Sequence, residues 1–318
     1  MFKVLKKTNI LKILKVLISF TIIFVLYRQL DSKFTDYNIA QNLPLLKKNY
    51  FYLSLLFILM FVQWFVEAQK WRFLLYKVQY LKFGQSIKAI FSGLSVSFLT
   101  PNRTGEFLGR IIFIPKGNRI KASIITFICN YSQLLTTITI GLVSLFYLPN
   151  YFNIDKHLDR NYYYIIIFFT LIISNILYFF TNKIYDFASI FSKKNKYLSQ
   201  IEVFKIYSKK ELLIAYLYSM FRYIIFIIQY YIAFLIFEVH ISLIDFVILK
   251  PISILLVTAI PTVSITDAGV RVSSALAIFE LVDISSNIIS ATILIWLVNL
   301  VIPSLIGLLF FNKLKSQA

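Results

Sequence analysis

Ala122–Leu148, ASIITFICNYSQLLTTITIGLVSLFYL, runs 27 residues without a charged side chain. An α-helix needs about 20 mostly apolar residues to cross the hydrocarbon core of a bilayer. A second charge-free run covers Asn161 to Asn182. Around them the chain keeps the same character: 59% of its 318 residues are hydrophobic, 15% are charged, and the mean hydropathy is +0.76. Soluble domains carry about a quarter charged residues. The class is therefore an all-α polytopic membrane protein, because lipid leaves no water to satisfy open backbone groups. The alternation of a membrane β-barrel is missing.

The formal net charge is +19. The cations gather in short loops between apolar runs, where they set topology and meet anionic lipid rather than nucleic acid. Lys193-Lys194-Asn195-Lys196 reads as such a topology signal. The single cysteine, Cys129, lies mid-run and forms no internal disulfide. Lys3, Lys6, Lys7, Lys12 and Lys15 precede the apolar run to Tyr27. No small-residue cleavage site follows, so the sequence predicts a retained first span.

Six segments are long enough to span: Ile10–Tyr27, Tyr50–Val66, Ala122–Leu148, Asn161–Thr181, Leu212–Phe237 and Ile288–Phe311. Two more apolar regions are interrupted. Ile87–Leu99 stops at Thr100-Pro101-Asn102-Arg103-Thr104-Gly105-Glu106, and Phe107–Pro115 resumes it briefly. Phe246–Ile260, containing Lys250 and Pro251, breaks at Pro261 and resumes at Val270–Val282. Apolar stretches this short are more often re-entrant than spanning.

Charge decides between the two topologies. Eight spans would place the loops at 100–121 and 182–210 outside, with five and seven Lys/Arg. Six spans with two re-entrant hairpins place segments 67–88, 116–121 and 182–210 inside, with five, three and seven. The outer loops at 28–49, 149–160 and 238–245 then hold four, two and none. The positive-inside bias favours six spans with both termini cytoplasmic, in an inner (plasma) membrane of bacterial type.

That topology contains a repeat. Ile10 and Asn161, Tyr50 and Leu212, Pro101 and Pro261, and Ala122 and Ile288 are separated by 151, 162, 160 and 166 residues. Half-repeats of about 1–150 and 151–318 follow within a single membrane domain. Three crossings per half make the repeat inverted, with one hairpin entering from each face. Regular span lengths alone would also produce matching offsets. Paired Gly/Pro-interrupted segments are the sequence pointer to a transporter's binding site.

At the first break, Pro101 ends the incoming helix and Gly105 permits the turn. Thr104 is positioned to cap the returning helix, Glu106 falls in its first turn, and Arg110 lies four residues on. Arg103 and the free N–H groups of that helix start suit a phosphate. At the second break, Pro261 and Gly269 frame Thr262, Ser264, Thr266 and Asp267. Thr266 or Asp267 is placed to cap, and Arg271 to pair back to Asp267. Arg222 is an intramembrane charge within reach of Glu106, Asp267 or a lipid headgroup. Asn130, Gln133, Thr137 and Gly141 share a helix face that lines a cavity or packs helices together. The plain alternatives stay open: the tip charges as salt bridges holding each hairpin, and Arg222 as a snorkelling arginine. His157 and His240 lie in outer loops beside acids and read as solvated. No metal-ligand spacing, nucleotide loop or serine elbow is present, so no metal, cofactor or catalytic residue is assigned.

These two tips resemble the transmembrane-domain family of lysylphosphatidylglycerol synthase, the flippase-like domain family. Its Thr-Pro-x-Arg-x-Gly-Glu segment is matched by Thr100, Pro101, Arg103, Gly105 and Glu106, with Arg110 at the following arginine. In the second half Pro261, Ser264, Gly269, Val270 and Arg271 match, while Val272 replaces an expected glutamate and Asp267 an expected glycine. The resemblance implies movement of an amphipathic lipid between leaflets. Family synthases carry a soluble aminoacyl-transferase domain after the membrane domain. This sequence reaches Ala318 just past its last span, so a stand-alone member that does not make the aminoacyl lipid is expected. In this reading Arg103 and Arg271 neutralise a phosphate, while Glu106 and Asp267 position those arginines or bind a cationic headgroup. The implied partners are anionic or phosphate-bearing membrane lipids and an envelope-biosynthesis enzyme. The rival readings are a non-transporting scaffold of envelope lipid or glycan assembly, and an integral-membrane lipid-modifying enzyme using Glu106 or Asp267 as base.

Overall fold

The computed structural model describes residues 42–98, 100, 103–151, 159–181, 183, 186, 202–262, 264–282 and 287–315. Among them there is no strand. The helices are α1 (Leu43–Lys48), α2 (Tyr50–Leu75), α3 (Phe83–Phe98), α4 (Gly105–Ile111), α5 (Arg119–Leu145) and α6 (Arg160–Phe179). Then come α7 (Lys209–Ile236), α8 (Leu243–Ala259), α9 (Ser264–Phe279), α10 (Asn287–Trp296) and α11 (Ile302–Lys315). A π-helical turn at Leu297–Val301 joins the last two. Five stretches are long and apolar enough to cross a membrane: Tyr50–Leu75, Lys116–Asn150, Arg160–Phe179, Lys209–Ile236 and Asn287–Phe310. They match five of the six spans read from the sequence. The sixth, Ile10–Tyr27, lies outside the described residues, as do Pro101, His157 and the Lys193–Lys196 cluster.

One boundary needs correction. Helix α2 does not end at Val66 but continues to Leu75. Its buried stripe, Met60, Trp64, Ala68, Trp71, Leu74 and Leu75, keeps the helical period without a break. Gln63, Glu67 and Lys70 fall on the same face and are buried too. A charge ends an apolar run only where lipid surrounds it; here protein partners surround both ions.

Helix ends follow local chemistry. A capping box starts α7: the Ser208 hydroxyl accepts from Glu211 N at 3.3 Å, and Ser208 N donates to Glu211 Oε2 at 2.8 Å. Ser242 caps α8 in the same way, accepting from Asp245 N at 3.1 Å. Helix α7 closes on Glu238, whose φ of 54° allows Val239 N to reach Phe234 O at 2.9 Å.

Two helical hairpins position the site. Helices α3 and α4 pack on one another, and α3 packs on α11. Helices α8 and α9 pack on one another, and α8 packs on α5. Between them α2 lies against α7. The contacts of the first hairpin are very close. A Cβ added to Gly109 would lie 2.5 Å from both Ser92 O and Gly93 Cα. Gly307 of α11 sits directly on the Phe91 carbonyl, and Ser95 Oγ donates to Ser304 O at 2.5 Å. Small residues allow this backbone approach, which is how helices associate where no hydrophobic force separates them from lipid.

Candidate functional site

The first tip is built by Thr100 rather than Thr104. Gly105 N donates to Thr100 Oγ1 at 2.7 Å, whereas Thr104, at the cap position, makes no side-chain cap bond. Arg103 stands between them with φ 56°, a left-handed conformation that a branched-chain tip would resist. Gly105 has no positive φ; a Cβ there would meet Val96 O at 2.5 Å, so its role is close approach. At the second tip Pro261 follows α8 as a break. Gly269 is not a break, because α9 begins at Ser264 and runs through it. Thr266 and Asp267 therefore sit inside the first turn of α9 and do not cap it. Asp267 there favours the positive end of the helix dipole.

Both carboxylate–arginine pairs form at i,i+4 as their spacing predicts. Glu106 Oε1 pairs with Arg110 Nη2. Arg271 Nε donates to Asp267 Oδ2 at 2.7 Å. Beyond that the pairs differ. Arg110 is fully buried, and its Nη2 also meets Glu67 Oε1 at 3.0 Å. Glu67 Oε2 in turn holds Lys70 Nζ at 2.8 Å and Arg222 Nη1 at 2.9 Å. The sequence expectation for Arg222 is thus corrected: it pairs with Glu67, not with Glu106 or Asp267, and lies 4.4 Å above the Trp64 ring. Glu67 is thus the shared counter-ion of three cations, and removing it would leave buried charge uncompensated. Asp267, by contrast, is reached across the gap by Arg103 Nη2 of the opposite tip at 3.6 Å.

Every oxygen of the three carboxylates has a partner. Glu67 Oε1 takes Arg110 and the Cys129 thiol, and Oε2 takes Lys70 and Arg222. Glu106 takes Arg110 and, on Oε2, the Asn130 amide at 3.2 Å. Asp267 takes Arg271 and Arg103 on Oδ2 and the Thr262 hydroxyl at 3.3 Å on Oδ1.

The tips face each other across a cavity of about 530 Å³. Arg103, Glu106, Arg222, Asp267 and Arg271 all line it, with Asn130, Gln133 and Thr137 of α5. Of the six charged candidates only Arg110 stands behind the wall. Gly141 is the other exception on the α5 face, packing against Leu255. A second compartment of about 200 Å³ shares Arg103, Arg222 and Arg271 with the first, and adds Gln63, Tyr223, Trp296 and Asn299. Lys70, Arg103, Arg110, Arg222 and Arg271 against Glu67, Glu106 and Asp267 leave the cluster at +2.

Five buried polar atoms of lining residues have no hydrogen-bond partner among the described residues: Trp64 Nε1, Trp296 Nε1, Arg222 Nε, Tyr223 OH and Gln133 Oε1. Buried polar groups are otherwise almost always satisfied. Gln63, Asn299 and Gln229 instead form a chain, with Asn299 Nδ2 donating to Gln229 Oε1 at 3.1 Å. Asn299 belongs to the π turn, a distortion frequent at functional sites.

Sequence reading missed Glu67, Lys70, Gln63 and Asn299. The signal for the first three is their spacing of four and three residues in step with the apolar stripe of α2. Nothing local marks Asn299. Lys250, fully buried, was passed over as part of an apolar run; its ammonium lies 3.5 Å from the Tyr230 ring centroid.

The fold and site define a multi-pass helical membrane protein with an arginine-rich cavity between two broken-helix hairpins. The chain belongs to the lysylphosphatidylglycerol synthase TM region family, whose model matches residues 12–307. No curated protein and no solved structure matches it. The family relates the chain to the handling of membrane lipids.

Proposed function

We propose that this protein moves a phosphate-bearing amphipathic lipid between the leaflets of a bacterial inner membrane. The observation that carries this reading is the convergence of Arg103, Arg222 and Arg271 on the cavity where both hairpin tips meet. A phosphate offers several strong acceptor oxygens and negative charge, and charge-assisted bonds from arginine are the strong ones. The headgroup would bind between the tips while its apolar tails remain in lipid. Glu106 and Asp267 hold the arginines in place.

The topology that serves this function is six spans with two re-entrant hairpins. Helices α3 and α4 have 16 and 7 residues, which reach roughly 24 and 10 Å against a hydrocarbon core of about 30 Å. Helices α8 and α9, with 17 and 16 residues, are short in the same way. Each hairpin packs on the third span of the other half, α3 on α11 and α8 on α5, and the second spans α2 and α7 pack together. This reciprocal pattern supports an inverted repeat of about 1–150 and 151–318, with both termini cytoplasmic. Rocking of one half against the other would open the site to each leaflet in turn.

We read the chain as a transporter and not an enzyme. A lipid-modifying reaction would need Glu106 or Asp267 as a base, and each is held by arginine and a second donor. The test is leaflet exchange of labelled phospholipids and polyprenyl-phosphate lipids in proteoliposomes, with wild type beside Glu106→Gln. Exchange by wild type that the folded variant loses is expected. Folded wild type that exchanges none of them overturns the reading. Stable co-purification of an envelope glycosyltransferase in that case would point to a scaffold.

A further inference from the structure

One buried cation plays no part in the site described above. Lys250, in the middle of α8, is 1% exposed, and among the described residues its ammonium makes no hydrogen bond or ion pair. It rests 3.5 Å from the centroid of the Tyr230 ring. The other buried cations among the described residues, Lys70 and Arg110, are both held by Glu67. Lys250 and Tyr230 lie one turn beyond the smaller compartment. Tyr223 and Phe226 line it from α7, and Tyr230 is four residues past Phe226. Ile254, Val257 and Thr258 line it from α8, and Lys250 is four residues before Ile254. Residues four apart are neighbours on one helix face, so both lining stripes run on into this pair. The Tyr230 hydroxyl stands beside the Arg271 guanidinium, which lines both compartments.

The helices packed on α8 bring this lysine no anion. Helix α5 has no charged side chain from Ala122 to Leu145; its titratable groups are Cys129, at Glu67, and Tyr131. Helix α9 brings Arg271, of like charge, and Asp267, which is held by Arg271 and Arg103. Helix α7 brings Tyr223, Tyr230 and Tyr231, and Arg222, which is held by Glu67. Asp245, at the start of α8, is held by Ser242 and Tyr151. An aromatic face offsets only part of the cost of desolvating an ammonium. An anion arriving at Arg271 changes that balance, because charges interact strongly where water is excluded. Resting on the lipid reading above, we infer that Lys250 is a proton site coupled to the phosphate site. Its amine takes up a proton as an anionic headgroup settles on Arg103, Arg222 and Arg271, and gives it back when the headgroup leaves. The Nζ lone pair accepts the proton, bulk water supplies and receives it, and no other bond changes. One proton then accompanies one phosphodiester, so the loaded site carries no added charge through the membrane and a pH gradient drives the lipid.

The probe is phosphatidylglycerol, whose phosphodiester keeps its charge across the neutral range. Proton uptake on its binding is read with a pH-indicator dye in weakly buffered detergent solution, for wild type, Lys250→Met and Lys250→Gln. Met keeps the length of the side chain and Gln its polarity, so a folding defect in one leaves the other to decide. Wild type is expected to take up about one proton per lipid bound, and both variants to bind the lipid without uptake. By linkage the wild-type affinity should fall up to about tenfold per pH unit somewhere between about pH 6 and about pH 9, and that of the variants should stay flat. In proteoliposomes an imposed pH gradient should drive net movement of the lipid by wild type alone. Uptake that is equal in all three proteins, or wild type that binds no phosphatidylglycerol, overturns the inference. If wild type exchanges the lipid with no proton uptake and no response to the gradient, lipid movement stands and the proton site falls. If uptake on binding is lost in both variants but no lipid is exchanged, the proton site stands and translocation falls.

Discussion

The two hairpin tips carry the same short spelling, a carboxylate followed four residues later by an arginine, yet the fold uses them differently. In the first, Arg110 is fully buried and locked to Glu67, and α4 is pressed against α3 through Gly109 and Gly93. In the second, Arg271 faces the cavity, and Asp267 is bridged by Arg103 from across the gap. One pair anchors a hairpin to the scaffold; the other presents a charge. A local motif therefore fixes the geometry of a pair but not its role, which depends on whether a second carboxylate waits behind it. Glu67, on neither hairpin, makes the difference.

Removing Glu67 should have the largest effect. Glu67→Ala leaves Lys70, Arg110 and Arg222 without their shared anion, and a cost of about 3–5 kcal/mol is expected from breaking a buried ionic cluster. Thermal unfolding in detergent would measure it, and an unchanged midpoint would erase the distinction between the tips. Gly109→Ala comes next, costing about 1–3 kcal/mol because its Cβ would press on the backbone of Ser92 and Gly93. The same unfolding measurement checks it. Arg271→Ala is expected to cost about 1–3 kcal/mol, less than the loss of Arg110 would, while removing lipid exchange. Should Arg271→Ala unfold the protein as thoroughly as Arg110→Ala, the second tip would be an anchor too. Asn130→Ala deletes one hydrogen bond to Glu106 and should cost about 0.5–1.5 kcal/mol with weakened exchange.

Five of the spans and the break at Pro261 were legible because each rests on local physics. Charge-free runs such as Ala122–Leu148 have one stable form in lipid, and Pro261 interrupts a helix wherever it stands. The i,i+4 pairs were legible for the same reason. Glu67 was hidden because an apolar-run reading stops at the first charge, and Gln63–Glu67–Lys70 reveals itself only when the helical stripe is followed past it. The partner of Arg222 lies 155 positions away in sequence, and no spacing rule reaches that far. Thr100 took the cap expected of Thr104 because the left-handed turn at Arg103 folds the chain back onto it. Asn299 gains its place from a π turn, which apolar sequence does not announce.

The most direct measurement is the leaflet-exchange rate of a fluorescent anionic phospholipid in proteoliposomes, normalised to folded protein, for wild type and Arg103→Ala/Arg271→Ala. Exchange by wild type above that of protein-free vesicles, and its loss in the double variant with the unfolding transition retained, is the predicted result. A double variant exchanging lipid at the wild-type rate would contradict a shared phosphate site between the tips.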